Sequence, residues 1–192
     1  MIVIRFGFGY RKMKNRTELA QYFAKLGFKI GAEVGVADGR YSEILCKNIL
    51  DLKLYCIDPY ITYDGNSQDG NQQEQDKCER IAKRRLNKFN VTFIKEFSID
   101  ALKYVNEELD FVYIDANHKF DFVMEDIIKW SCKVRKGGIV SGHDYWSIRD
   151  FGVKEAVDVY TKAHHIKLNI IEGESSRRLS QAAPNWWFIK CS

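Results

Sequence analysis

A chain of 192 residues, 45% hydrophobic and 14% aromatic, suits a single domain with a substantial core and makes two domains an unlikely division of its length. Its charged residues mix both signs to a formal net charge of +4, too small an excess to imply a polyanion as the main partner, and a proline count of 2 argues against extended disorder. No apolar run approaches the roughly 20 residues that span a bilayer, Met1 to Tyr10 carries Arg5 without a signal-type apolar segment, and five cysteines without a C-x-x-C pair read as free thiols.

The expectation is a soluble cytoplasmic protein. The short basic clusters Arg11 to Arg16 and Lys83-Arg84-Arg85 read as solvated surface, with contact to an anionic substrate or nucleic acid as the alternative.

In chain order, Asn15 followed by Glu18 predicts a capped helix whose Leu19, Tyr22, Phe23 and Leu26 share one face, ended by Gly27. Lys29 to Val36 reads as a buried strand, Tyr41 to Leu50 as a helix and Leu54 to Ile57 as a second strand, which together make a βαβ unit. Tyr63 to Asp76 turns to Asp, Asn, Gln and Gly and is expected to be a mobile loop, a candidate lid. A charged helix from about Lys77 to Lys88 then leads to the strand Val91 to Ile94.

Ser98 can cap a short helix through Val105, and Asp110 to Ile114 supplies a fourth strand. Phe120 to Cys132 has helical apolar spacing, and Gly137-Gly138 marks the turn into the strand Ile139 to Ser141. After a helix over Val153 to Ala163, Lys167 to Ile171 and Trp186 to Lys190 are two strands with no helix between them and should pair antiparallel. Strands alternating with helices imply an α/β, Rossmann-like, doubly wound fold, with a mostly parallel seven-stranded sheet and an antiparallel last strand.

Where the first strand turns into its helix stands Glu33-Val34-Gly35-Val36-Ala37-Asp38-Gly39, the place where a doubly wound sheet opens a ligand crevice. Gly35 and Gly39 would let backbone approach a ligand, and Glu33 can accept a hydrogen bond from a cationic amino group. The spacing departs from the G-x-G-x-x-G fingerprint built around a pyrophosphate. Asp58 ends the second strand near the spacing of about 20 residues at which an acid meets ribose hydroxyls.

Asp115 follows the apolar strand Phe111 to Ile114, with His118 three residues on, and Gly142-His143-Asp144-Tyr145 ends the fifth strand. Asp115 and Asp144 are therefore candidate oxygen ligands for Mg²⁺, and His118 a candidate base for a hydroxyl whose pKa the metal lowers. Tyr145 and Trp146 either line an acceptor pocket or pack; Trp186, Trp187 and Phe188 read as core, and His164-His165 as an exposed helix end.

With acidic-x-Gly-x-x-x-Gly at Glu33 to Gly39 and an acid at Asp58, the sequence resembles the class I S-adenosylmethionine-dependent methyltransferases. The resemblance implies S-adenosylmethionine as cofactor, with Glu33, Gly35, Val36 and Gly39 at its methionine part, Asp58 at the ribose and Ser98 near the adenine; Asp115 joins this set. Ile114 to His118 and Gly137 to Tyr145 further resemble the small metal-dependent O-methyltransferases, the macrocin, sugar and cephalosporin-hydroxylase-like group. That implies catalytic roles for Asp115 and His118 and a metal held by Asp115 and Asp144. His143 stands where the group has a second acid, so it joins the expected ligands and shifts the choice from Mg²⁺ toward Mn²⁺, Fe²⁺ or Zn²⁺.

The expected organisation is an N-terminal segment and helix over residues 1–28 packed on a methyltransferase domain over 29–192. The expected activity is methyl transfer to a hydroxyl oxygen of a small molecule or sugar, with no membrane partner, nucleic acid disfavoured and a homo-oligomer compatible. Two rivals are an NAD-dependent Rossmann oxidoreductase, which lacks its glycine spacing here, and a non-catalytic domain binding cofactor or nucleic acid.

Overall fold

A computed structural model of the chain describes residues 13–62, 71–148, 151–173 and 183–191. Its helices are α1 (Arg16–Lys25), α2 (Arg40–Asn48), α3 (Gln72–Leu86), α4 (Ser98–Ala101, continued as a 3-10 turn over Leu102–Tyr104), α5 (Phe120–Lys133) and α6 (Val153–Ala163). Its strands are β1 (Ile30–Val34), β2 (Lys53–Ile57), β3 (Val91–Ile94), β4 (Leu109–Ile114), β5 (Val134–Gly142), β6 (Asn169–Ile171) and β7 (Asn185–Ile189).

The strands form one sheet in the order β3-β2-β1-β4-β5-β7-β6. The first five pair in parallel, while β7 runs antiparallel to both β5 and β6. This is the expected Rossmann-like sheet, and it turns back on either side of β1, so the carboxyl ends of β1 and β4 flank a crevice. Alternation along each strand feeds two cores: Val112 and Ile114 of β4 join Ile127 and Trp130 of α5 on one face, whereas Phe111 and Tyr113 join Leu19, Phe23 and Leu45 on the other. Trp186, Trp187 and Phe188 are core, at 0%, 3% and 1% exposure.

The opposite edge of the sheet is tied by Asp110, whose carboxylate accepts from the Lys29 and Ile30 amides and from Arg135 Nε at 2.6, 2.9 and 2.7 Å. One carboxylate thus joins the starts of β1, β4 and β5, leaving the carboxyl edge to carry the chemistry.

Three local expectations need correction. Helix α3 begins at Gln72, inside the expected loop, because Asn71 accepts the Glu74 amide as an N-cap; Tyr63 to Gly70, the rest of the candidate lid, lies outside the described residues. Gly137 and Gly138 do not precede the fifth strand but form a bulge within it, where Leu109 pairs with Val134 and Phe111 with Ile139; Gly137 takes φ +77°. Ser98 does not cap α4, whose N-cap is Phe97. Its hydroxyl donates instead to Asp126 on α5 and accepts from Trp130 Nε1 at 2.8 Å.

A candidate methyl-transfer site at the carboxyl edge

The turn after β1 is built by constraint from both sides. Gly35 has φ +89°, and a Cβ there would lie 2.0 Å from the Asp115 carbonyl oxygen; one on Gly39, φ +77°, would lie 3.2 Å from the Ala82 Cα of α3. Both glycines therefore admit the protein's own backbone, a need that exists before any ligand arrives. Across the crevice Asp58 Oδ2 accepts the amides of Val36 at 3.0 Å and Ala37 at 2.9 Å, while Oδ1 accepts that of Tyr60 at 2.9 Å. Asp58 thereby holds the shape of the turn it faces. Tyr60 buries its hydroxyl without a hydrogen-bond partner among the described residues, an orphaned polar atom of the kind a ligand satisfies.

Glu33 lies deeper than its sequence position suggests, 2% exposed, and accepts a hydrogen bond from the Ser42 hydroxyl of α2. Burial pushes its carboxyl up to about 8, the Ser42 bond and the positive charge of Arg16 only partly offsetting the loss of water. Ser98, expected near an adenine, is occupied between Asp126 and Trp130; burial lifts the Asp126 carboxyl to about 7 against the Ser98 bond.

At the ends of β4 and β5, Asp115, His118 and Asp144 bring one ligand atom each to within 4.8 Å of one another. His118 Nε2 stands 3.0 Å from Asp144 Oδ2 and 3.7 Å from Asp115 Oδ1, and this atom is buried without a well-directed hydrogen bond among the described residues. His143 Nδ1 approaches the same two oxygens at 3.1 and 3.7 Å. The compact three-residue group contains His118 and not His143, which was expected among the ligands and stands beside it.

Charge in this cluster is tightly shared. Burial pulls the His118 pKa down, but Asp115 and Asp144 outweigh it and lift it to about 10, and His143 rises for the same reason. Burial pushes the Asp144 carboxyl up, and the two imidazoles outweigh it and hold it well below the usual carboxylate range. Asp144 also adopts φ +55°, a left-handed conformation that costs a non-glycine residue about 1 kcal/mol or more and persists only where surroundings enforce it. Two carboxylates and one imidazole nitrogen so close together are a donor set that fits a divalent transition metal.

Arg16 is the residue whose place was missed. It was grouped with solvated basic residues, but its guanidinium carbon lies 5.1 Å from the centre of the Tyr41 ring and the group adjoins the Tyr113 hydroxyl. Its spacing to Leu19, Ala20 and Phe23, all fully buried, already put it on the inward face of α1. Arg16 lines a cavity of about 230 Å³ with Asn15, Thr17, Ile44, His143, Glu172 and Asn185. Tyr145, by contrast, turns its hydroxyl to Asp158 of α6, and Trp146 Nε1 is buried without a partner among the described residues.

A family model described as a methyltransferase domain matches residues 32–145, more than half the chain and both halves of the site. The chain belongs to the methyltransferase-domain family. No curated protein matches the methyltransferase in sequence. Among solved structures it is similar to an rRNA methylase from Streptococcus thermophilus, at TM-score 0.66 and 15% identity over 95% of this chain and 100% of that one. It is similar also to an O-methyltransferase from Bacillus cereus in complex with S-adenosylhomocysteine, at 0.66 and 14% over 91% and 80%. The O-methyltransferase TomG from Streptomyces achromogenes, involved in tomaymycin synthesis and bound to S-adenosylmethionine, aligns at 0.65 and 15% over 91% and 79%. At such identities these likenesses establish the fold of the class I S-adenosylmethionine-dependent methyltransferases. No described helix of the methyltransferase is long and apolar enough to cross a membrane.

Proposed function

We propose that this methyltransferase moves the methyl group of S-adenosylmethionine to a hydroxyl oxygen of a small molecule or sugar, with a divalent metal at Asp115, His118 and Asp144. The observation that carries this reading is the three-residue donor cluster beside the glycine turn. The O-methyltransferases among its structural neighbours support the choice of oxygen. The rRNA methylases share the fold, but a net charge of +4 with both signs interspersed favours a small acceptor over a polyanion.

A divalent ion held there supplies Lewis acidity that lowers the pKa of an acceptor hydroxyl. Asp115 and Asp144 contribute hard oxygen donors, and the nitrogen of His118 favours Mn²⁺, Fe²⁺ or Zn²⁺ over Mg²⁺. His118 cannot serve at once as ligand and base through Nε2, so we assign that atom to the metal and the departing hydroxyl proton to solvent. His143 Nδ1, 3.1 Å from the Asp144 Oδ2 that His118 also approaches, would steady that oxygen as a ligand. The turn from Gly35 to Gly39, kept in shape by Asp58, would hold the nucleoside of S-adenosylmethionine, which would supply the methyl group as an activated sulfonium, and the contribution of these residues would be chiefly positional.

The test follows labelled methyl transfer from S-adenosylmethionine to a panel of catechols, sugars and hydroxylated polyketides, with and without EDTA. Transfer that EDTA abolishes and Mn²⁺ restores is expected. Transfer indifferent to EDTA would remove the metal from the mechanism, and failure to bind S-adenosylhomocysteine would remove the cofactor.

A further inference from the structure

The donor cluster has two flanks of opposite character. On one, His143 is 5% exposed and lines the polar cavity with Asn15, Thr17 and Asn185, so it stands between that cavity and the donor oxygens. On the other, the side chains of His118 and Asp115 keep 26% and 24% of their surface, and an acceptor can reach the donors from there.

That second flank is apolar and firmly built. The Phe151 ring stacks on the His118 imidazole, with centroids 4.6 Å apart and 24° between planes, and the Gly152 amide donates to the His118 carbonyl oxygen at 2.8 Å. A Cβ on Gly152 would lie 2.6 Å from the Cα and Cβ of Phe120, so the start of α6 packs directly against the start of α5. The Phe151 amide donates to the Ile148 carbonyl oxygen at 2.9 Å, which brings Ile148 back toward the same place. Hydrogen bonds from Ser147 to Glu155 and from Tyr145 to Asp158 tie the segment after β5 to α6, and Val153 and Ala156 root α6 in the core.

On this rigid base Phe120 and Ile148 stay 39% and 42% exposed, beside the half-buried Phe151. Large apolar side chains grouped at the rim of a polar cluster suit a ligand with an apolar body and a single polar point. None of the three side chains can donate or accept a hydrogen bond, so a sugar laid against them would lose water from its hydroxyls without gaining partners. An apolar skeleton has no such loss and gains by its own burial.

We infer that the acceptor hydroxyl is borne on an apolar carbon skeleton seated on Phe120, Ile148 and Phe151, and not on a free sugar. This choice of acceptor rests on the methyl-transfer reading above and narrows it to one substrate class.

Ligand-observed NMR titrations on the full chain test this with two probes, 2-naphthol and methyl α-glucoside. The natural protein should bind 2-naphthol more than about 10-fold more tightly than the glucoside. Phe120→Ser and Ile148→Ser, both at exposed positions, should each weaken 2-naphthol by about 3- to 10-fold while changing the affinities for the glucoside, Mn²⁺ and S-adenosylhomocysteine less than about 3-fold. Equal or tighter binding of the glucoside, binding of neither probe, or 2-naphthol binding that neither variant weakens would overturn the inference. Labelled methyl transfer to the glucoside in preference to 2-naphthol would overturn it too, and would leave the methyl-transfer reading standing. If both variants fail to fold, the ranking of the two probes by the natural protein still decides. Failure to bind S-adenosylhomocysteine would instead bring down the methyl-transfer reading, and this inference with it.

Discussion

Gly35 and Asp115 meet backbone to backbone, with only 2.0 Å between the Asp115 carbonyl oxygen and the place a Cβ on residue 35 would occupy. The glycine turn after β1 and the edge that carries the Asp115 cluster are thus one packed unit, and Gly35→Ala should damage both. Its φ of +89° adds backbone strain to the clash, so a loss of more than about 2 kcal/mol is expected in urea unfolding, with Mn²⁺ affinity falling as well. A variant as stable as the natural protein would mean that Asp115 can move away freely.

Asp58 accepts three amide hydrogens in the turn region, so its removal leaves three donors without their acceptor. Asp58→Ala should cost roughly 1–3 kcal/mol. Asp58→Asn, which retains one acceptor oxygen, should fall between it and the natural protein. Melting temperatures in that order, paralleled by S-adenosylhomocysteine affinity, are the expected result, and an unchanged melting temperature for Asp58→Ala would contradict it.

With its pKa lifted to about 10 by Asp115 and Asp144, His118 carries a proton at neutral pH when no cation lies between the carboxylates. Loading Mn²⁺ at pH 7 should therefore expel about one proton. The apparent binding enthalpy should vary with the ionisation enthalpy of the buffer, and His118→Gln should erase that variation along with most of the affinity. Buffer-independent heats would place His118 outside the ligand set.

Asp126 holds its proton more tightly folded, at about 7, than its ordinary value of 3.8. Between about pH 4 and 7 the native state therefore binds more protons than the unfolded chain, and stability must fall as pH rises through that window. Glu33, lifted to about 8, acts in the same sense. Asp126→Asn should flatten the decline by at most about 1.4 kcal/mol per pH unit. Urea midpoints at pH 4.5, 6 and 7.5 measure it, and an unaltered slope would mean that Asp126 is ionised in the folded protein.

The sheet was legible because each strand is a short apolar run bounded by turn residues, and the antiparallel end of the sheet because no helix separates its last two strands. The start of α3 was not: Gln72 to Gln75 are too polar to announce a helix, and only the Asn71 and Glu74 pair marks it. Residues at strand ends, such as Asp58, Asp115 and Asp144, could be placed at one edge, since topology alone brings those ends together. What each side chain touches there depends on packing between distant segments. Ser98 meets Asp126 across two elements, and Tyr113 meets Asn185 only once β7 has entered between β5 and β6. Arg16 was the exception, visible in its helical spacing to Leu19 and Phe23 but outvoted by the charged neighbours around it.

The interleaved position of β7 sets an order of assembly. Of the described strands, the one made last by the ribosome must thread between two made before it, and until it does so β5 presents an open edge and Tyr113 has no Asn185 to bind. The half of the sheet from β3 to β4 can mature while the carboxyl-terminal half is still loose, so a nascent or heat-stressed molecule would go astray at the β5 margin first. Mutations that weaken Trp186 or Phe188 should accordingly surface as aggregation during synthesis rather than as a changed turnover rate in the molecules that finish folding.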